Sequence, residues 1–401
     1  MEGQKSATTK PLSGVKVIDF SRVLAGPYCT MLLADMGAEV IKIEQPVIGD
    51  DSRQFGPPFI KGESAYFLSI NRNKKSMTLN LKTKESKEVI RKLAKDADVI
   101  IQNFRPGVME KLGLDYNNLK EINKNLVYLN ISGYGHTGPL RDYPGYDIIV
   151  QGLSGVMDLT GVPHGEPTKI GISMPDLITG LFAALAVCFA LIARQKTGRG
   201  QMIDLAMLDS QVSLLATEAS KFFASGKIIT RIGNRHMSIA PFGTIKTKDG
   251  YLNFGIGNDK MWNHFCSVLN DKRLFVEKFK TNPDRIRNVD ELYSLINRIF
   301  SEKPSKYWLS YLRKHRIPVG SINRIDQVFS LKQLKARDMI VELKDRHLGK
   351  IKVLGNPIRL SETPYSIETV APRLGSHNRE ILLSLGYTDG EIANLKEKNV
   401  I

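Results

Sequence analysis

Val15-Lys16-Val17-Ile18-Asp19-Phe20, then Gly26-Pro27 opening a helix through about Asp35, then Glu39-Val40-Ile41-Lys42-Ile43-Glu44: this run decides the fold. It reads strand, helix, strand. Outward from it the alternation continues. Ser76–Leu81 predicts a strand, and Lys84 to Lys95 predicts a helix, with Val89, Ile90 and Leu93 at helical spacing. Asp98–Ile101 and Leu126–Ile131 predict two more strands. Repeated β-α-β units with short apolar strands argue an α/β fold with a parallel, doubly wound sheet. Such sheets bind ligands outside the carboxyl ends of their strands. The loops after Phe20, Glu44, Ile101 and Ile131 are therefore the places to look, and glycine and polar residues gather there.

From Asp147 to about Ser225 the pattern is mostly helical, with a short strand at Met202–Leu205 after Thr197-Gly198-Arg199-Gly200. Over residues 230–320 the character changes. Strands at Phe242–Ile245 and Tyr251–Ile256 flank the turn Lys248-Asp249-Gly250, and helical stretches follow near Met261–Leu269, Glu291–Phe300 and Ser305–Lys314. A hairpin-like run (Met339–Leu343, Ile351–Leu354) and two short helices end the chain. This predicts a large domain over 1–225, a smaller α+β domain over 226–330, and a segment over 331–401 that returns to the first. Leu177–Ile192 carries no charge. At 16 residues it falls short of the roughly 20 that span a bilayer, so it reads as a buried helix.

The chain has 401 residues, 42% hydrophobic and 24% charged, an ordinary globular composition. Its 57 Lys+Arg against 41 Asp+Glu leave +16, which calls for an anionic partner or a cationic surface. Cys29, Cys188 and Cys266 form no CxxC, and seven histidines show no HExxH, so neither a metal site nor a disulfide frame is expected. Reduced cysteines fit the cytoplasm, or the mitochondrial matrix behind a presequence this chain lacks. Met1-Glu2-Gly3-Gln4-Lys5 has no apolar run and is not read as a secretory signal. No GxGxxG follows the first strand, and no P-loop or GxSxG elbow is present. The lysines are interspersed with acids rather than striped, so neither nucleic acid nor a membrane is an expected partner.

Asp176 is the most informative residue. It follows Pro175 and precedes the uncharged helix. It could be a helix N-cap. The commoner role is the cap; the functional alternative is a carboxylate kept partly dry at a helix mouth, a usable nucleophile toward an activated acyl group. Asp147, after Gly145-Tyr146, is either a second site carboxylate or the start of a helix. Asn71-Arg72-Asn73-Lys74-Lys75-Ser76 is either a phosphate holder or a solvated loop. His136 reads as a loop surface group, Tyr134 as packing, and Cys188 as a small core residue.

Asp19 to Pro27, then Leu33 to Glu44, resembles the class III CoA-transferases, the family of formyl-CoA transferase, carnitine CoA-transferase and the α-methylacyl-CoA racemases. The likeness continues through Asn71–Ser76, Asn103-Phe104-Arg105-Pro106-Gly107, Gly133-Tyr134-Gly135, Gly145-Tyr146-Asp147 and Thr197–Gln201, colinear over nearly the whole chain. Gly56–Phe59 and Glu63–Ser69 look most like the succinate–hydroxymethylglutarate CoA-transferase branch and its bacterial dicarboxylate-handling relatives.

The resemblance implies a Rossmann-like large domain, a small domain and an interlocked homodimer. It implies Asp176 as the catalytic aspartate, with Tyr146 and Asp147 lining the active site. It implies CoA contacts from Val23, Leu24, Ala25, Arg72, Lys75, Leu79, Lys82, Asn103, Phe104, Arg105 and Lys111. CoA thioesters would be substrates, with no tightly bound cofactor. The implied reaction moves CoA from an acyl-CoA donor, succinyl-CoA, to a dicarboxylic acid through an aspartyl mixed anhydride and an aspartyl-CoA thioester. A distal acceptor carboxylate would want Arg22, Arg72, Arg105 or Arg235. The alternative chemistry is racemisation of a 2-methylacyl-CoA, but family racemases carry a histidine where this chain has Tyr146. A third reading is a CoA-binding protein without catalysis. The small domain lacks the glycine run of formyl-CoA transferase, having Gly243, Gly250, Gly255 and Gly257 instead, and Gln45 stands where some members have a basic residue.

Overall fold

The computed structural model describes residues 9–401; the Met1–Lys5 segment read for a targeting signal lies outside them. They divide into two compact units. The larger holds the residues through Val156, Lys169–Ser220 and Gln333–Ile401; the smaller holds Met157–Thr168 and Lys221–Lys332. Residues 157–168, assigned from sequence to the first domain, cluster with the smaller unit: the Arg231 guanidinium pairs with Asp158, and the Gly233 N–H donates to the Gly161 carbonyl.

The larger unit is built on six parallel strands: β1 (Lys16–Asp19), β2 (Glu39–Glu44), β3 (Lys74–Thr78), β4 (Val99–Gln102), β5 (Val127–Ser132) and β6 (Met202–Ala206). Their spatial order is β3-β2-β1-β4-β5-β6. This is the doubly wound order whose direction reverses between β1 and β4, opening a crevice at their carboxyl ends. The central strands β4 and β5 are buried throughout, as strands covered on both faces must be. Helix α1 (Ala25–Asp35) follows β1 and is almost wholly buried. Helix α2 (Ala65–Ile70) precedes β3. Helix α3 (Lys84–Asp96) buries Val89, Ile90, Leu93 and Ala94, and its Thr83 cap accepts from the Ser86 N–H.

Strand β3 starts two residues earlier than the pattern predicts, so Lys74 and Lys75 belong to the strand and not to a solvated loop. Hydropathy placed them outside. Lys74 is tolerated inside because its ammonium donates to the Asn71 side-chain oxygen at 2.7 Å and the Pro27 carbonyl at 2.9 Å, with Asp19 at 3.4 Å. The chain's last segment covers the β3 edge: the Ser76 N–H donates to His377 and the Thr78 N–H to Asn378.

Five-residue helix α4 (Val108–Leu112) follows β4, and α5 (Asp147–Leu153) follows β5. Helix α6 runs Met174–Thr197, 24 residues, and ends at Gly198 in the left-handed conformation. The sequence predicts a buried helix; the structure buries one stripe of it. Ala183, Val187, Ala190 and Leu191 are buried, but Leu181, Leu185, Phe189 and Ile192 are exposed. The reason is geometric: a helix laid on one side of a sheet covers one stripe only. By length and composition alone α6 is apolar enough to cross a bilayer, yet its inner stripe is core. Helix α7 (Met207–Ser213) packs on α5 and α6.

The smaller unit carries a three-stranded antiparallel sheet of β7 (Phe242–Lys246), β8 (Tyr251–Gly255) and β9 (Val319–Ser321), β8 central. Three-residue β9 was too short to stand out in sequence. Its core is aromatic, with the Phe300 and Trp308 rings stacked at 4.3 Å. Gly243 and Gly255 lie in the paired strands. In the larger unit a hairpin of β10 (Ile340–Asp345) and β11 (Gly349–Leu354), then helices at Asn378–Ser384 and Asp389–Glu397, complete the chain.

Candidate active site

The four loops singled out from sequence meet around one groove of about 510 Å³ in the larger unit. Arg22, Val23 and Ala25 come from the turn after β1. Asp51 and Phe55 follow β2, Asn103 to Pro106 follow β4, and Ser132 and Gly133 end β5. Tyr146, Asp147 and Asp176 close it.

Asp176 is the third residue of α6 and not its cap, a place held by Ser173 without a side-chain hydrogen bond. The carboxyl is pushed up to about 7, first by burial and then by the charge of Asp147; the Ala25 backbone N–H, facing it, pulls the other way. Asp147 opens α5. One of its oxygens accepts from Gln151 at 2.8 Å, and Gln151 in turn accepts the Ile170 N–H at 2.8 Å. The other oxygen is buried with no partner. Burial raises this carboxyl as well. The groove thus holds two acids, and the charge of Asp147 disfavours ionisation of Asp176.

Helix α1 reaches Asp176 through a close approach. A Cβ on Gly180, one turn beyond Asp176, would stand 2.7 Å from the Ala25 carbonyl oxygen, so the first turn of α1 and the second turn of α6 meet closely, with no room for a side chain between them. Before α1, Val23 has φ +68, a left-handed conformation that costs a β-branched residue roughly 1–3 kcal/mol. Asn103 clamps the preceding peptide, accepting from the Arg22 N–H and donating to its carbonyl, both at 2.8 Å. Beneath lies a buried ionic network. Lys42 pairs with Asp50 at 2.8 Å, both side chains fully buried, and Arg53 pairs with Glu44 at 2.7 Å. Asp19 accepts from the Ser21 hydroxyl and, at 2.6 Å, from Thr30.

The other site residues divide. Tyr146 stands at the rim, 70% exposed. Leu24 precedes α1 and is buried. Phe104 receives the Arg22 guanidinium 5.1 Å from its ring centroid, and Arg22 also pairs with Asp51 at 3.0 Å. Lys82 and Lys111 are exposed but do not line the groove. Two expected CoA contacts, Arg72 and Lys75, lie away from the groove, and a third, Leu79, turns its side chain inward. Arg72 is buried with its guanidinium bidentate on Asp35, at the amino ends of the strands, the edge away from the groove. Lys75 is held there between Glu39 and Glu380, both at 2.7 Å. The Leu79 side chain is sealed in the core with Met77 and Val89. Arg235 belongs to the smaller unit, where it pairs with Asp290 at 2.6 Å. His136 is not a plain surface group: its ring Nε2 is buried without a partner, and its backbone N–H donates to Asp204. Tyr134 and Cys188 are half-buried.

Sequence reasoning missed Tyr66, Asp51, Phe55 and Arg141 as groove residues. Tyr66 is the most telling. Burial, with Asp176, Asp50 and Asp147 nearby, pushes its phenol to about 12, so it remains a hydrogen-bond donor. Periodicity offered no signal for it, because it sits in a six-residue helix. Among the described residues no cluster of three or more His, Cys, Asp or Glu could hold a metal.

Comparison with known proteins adds a family. A profile for CoA-transferase family III matches residues 12–378. The chain is 41% identical over 394 residues to succinyl-CoA:glutarate CoA-transferase of Mus musculus, covering 98% of this chain and 90% of that one. It is 39% identical to succinate–glutarate CoA-transferase of Agrobacterium fabrum, covering 94% and 96%. The crystal structure of a CAIB/BAIF family protein from Brucella suis superposes with a TM-score of 0.85 at 41% identity, covering 94% of this chain and all of that one.

Proposed function

The chain belongs to CoA-transferase family III, and from that premise we propose that it moves CoA from succinyl-CoA to a dicarboxylic acid through covalent adducts on Asp176. The observation that carries this reading is the Asp176 carboxyl itself, poised near 7 in a groove, beside a second acid and a backbone N–H. As an anion it attacks the thioester carbonyl, forming a mixed anhydride and expelling CoA thiolate. The thiolate attacks the aspartyl carbonyl, releasing the donor carboxylate and leaving an aspartyl-CoA thioester. The acceptor carboxylate attacks that thioester, giving a second anhydride and free thiolate. The thiolate then takes the acceptor's acyl group, and Asp176 leaves as carboxylate. Acylation turns Asp176 neutral, which relieves its repulsion with Asp147, so the free enzyme starts from a raised ground state. Tyr66 and the Ala25 N–H are donors near the developing oxyanions.

The anionic CoA suits a chain of net charge +16. Arg105 lines the groove and has no ion pair among the described residues; Lys111, on the helix that follows, is exposed. Val23, Ala25, Asn103 and Phe104 supply the uncharged wall. For a distal carboxylate, Arg72 drops out because it is buried on Asp35, Arg235 already pairs with Asp290, and Arg22 already serves Asp51. Arg105 and Arg141 remain, the latter only loosely paired with Asp142 at 3.4 Å. No cofactor enters these steps, and three free cysteines fit a reducing compartment, cytoplasm or mitochondrial matrix. Racemisation is disfavoured because Tyr146 is not a residue type that exchanges protons near neutrality.

Initial rates with succinyl-CoA and a panel of acids test the substrate class. Glutarate, hydroxymethylglutarate, malate, itaconate and mesaconate should exceed formate and carnitine by about 100-fold in kcat/KM, the worth of one charge-assisted contact pair. Equal rates with formate would contradict it.

The family's homodimer also fits. Leu181, Leu185, Phe189 and Ile192 on α6, with Ile148, Ile149 and Leu153 on α5, leave more apolar surface exposed than a lone chain in water favours. Sedimentation should read a dimer, and Leu185→Asp with Phe189→Asp should weaken it.

A further inference from the structure

Between β1 and α1 the chain turns from strand to helix, and almost every backbone group in that turn is held by a side chain from elsewhere. The Ser21 carbonyl accepts from Lys42 at 2.8 Å. The Arg22 peptide is clamped by Asn103. Val23, at φ +68, is held by one group alone: its N–H faces both oxygens of Asp50, at 3.1 and 3.3 Å. Asp50 itself has little freedom. It pairs with Lys42 at 2.8 Å and accepts from the Ser52 N–H at 2.9 Å and the Ser52 hydroxyl at 2.8 Å.

A fully buried ion pair is weak grounds for stability, since apolar residues of similar volume often do as well. What an apolar pair could not supply is an acceptor for Val23. A β-branched residue at positive φ is a genuine outlier and persists only where its surroundings impose it. Two residues later comes Ala25, whose carbonyl oxygen would stand 2.7 Å from a Cβ on Gly180, so the start of α1 is packed without slack against the turn of α6 that follows Asp176, and the Ala25 N–H faces that carboxyl.

We propose that Asp50, neutralised by Lys42, is a positioning residue for the transfer reaction: by fixing Val23 it fixes where α1 begins, and so where the Ala25 N–H meets Asp176. Asp50 does not line the groove and touches no reacting atom. The proposal rests on Asp176 as the acyl carrier.

Two charge-free variants of the full chain separate the roles. Lys42→Met with Asp50→Asn keeps an oxygen for Val23 and should retain kcat within about threefold, while Lys42→Met with Asp50→Leu removes the acceptor and should lower kcat about 30-fold with KM for succinyl-CoA within about threefold, as misplacement of about 1 Å can cost 100-fold. Adding Val23→Gly to the leucine variant should recover about tenfold, because glycine takes the left-handed conformation unaided. If the leucine variant does not fold, Asp50→Ser with Lys42→Met, too short to reach Val23, gives the same comparison. A purely structural role would lower melting temperatures without splitting kcat from KM, and Val23→Gly would recover nothing; either that pattern or wild-type turnover in the acceptor-less variant overturns the proposal. Hydroxylamine labelling of the unmodified chain keeps the premise separate: no label at Asp176 removes the carrier assignment, whatever the Asp50 variants do.

Discussion

Asp176→Asn should reduce acyl transfer by about 10⁴-fold or more, the scale on which removing a nucleophile acts, while leaving acyl-CoA binding within a few-fold. The same variant should be more stable than the natural chain at pH 8, and the difference should shrink to nothing near pH 4. The sign follows from linkage. In the unfolded chain this carboxyl ionises near 3.9, and in the folded chain at about 7. Between those values the folded state holds a proton that the unfolded state has lost, so stability falls as pH rises through the window. Above about 7 the full cost of an ionised, half-dry carboxylate is present, and an amide does not incur it. Melting temperatures of the two chains at pH 4, 6 and 8 check this, and a constant difference would contradict the burial of Asp176.

Asp147→Asn should move the acid limb of kcat/KM for the acyl-CoA. The nucleophile must be ionised, so the natural chain should lose activity as pH falls through about 7. Burial, the larger cause, stays in the variant. The Asp147 charge, the second cause, goes, and the limb should fall by about one pH unit. The variant should therefore outperform expectation at pH 5.5 relative to pH 8. Full pH–rate profiles of both chains decide it, and an unmoved limb would mean that the two carboxyls do not sense each other.

Much of this was legible in the sequence because it rests on periodicity. The runs Val15–Phe20 and Glu39–Glu44 fixed a doubly wound sheet, and that topology alone pointed to the loops that form the groove. What failed was charge inside the core. Lys74 and Arg72 looked like a solvated basic patch, and only their three-dimensional partners, Asn71, Asp19 and Asp35, show why they are buried. Pattern reading scores a lysine as outside and has no means of seeing an acid about 55 residues away that neutralises it. Asp176 was visible by its place beside Pro175, but its closeness to Asp147 depends on how α5 and α6 pack. Tyr66 and Arg141 lie in short or irregular segments, where periodicity carries no information.

Incubation with succinyl-CoA in the absence of an acceptor, followed by borohydride or hydroxylamine and peptide mass mapping, bears most directly on the covalent route. The peptide holding Asp176 should carry the reduced or hydroxamate mass, and free CoA or succinate should appear in step with it. A label on another residue, or none while the same preparation transfers CoA at full rate, would mean that acyl groups pass directly between substrates and that this carboxyl is not their carrier.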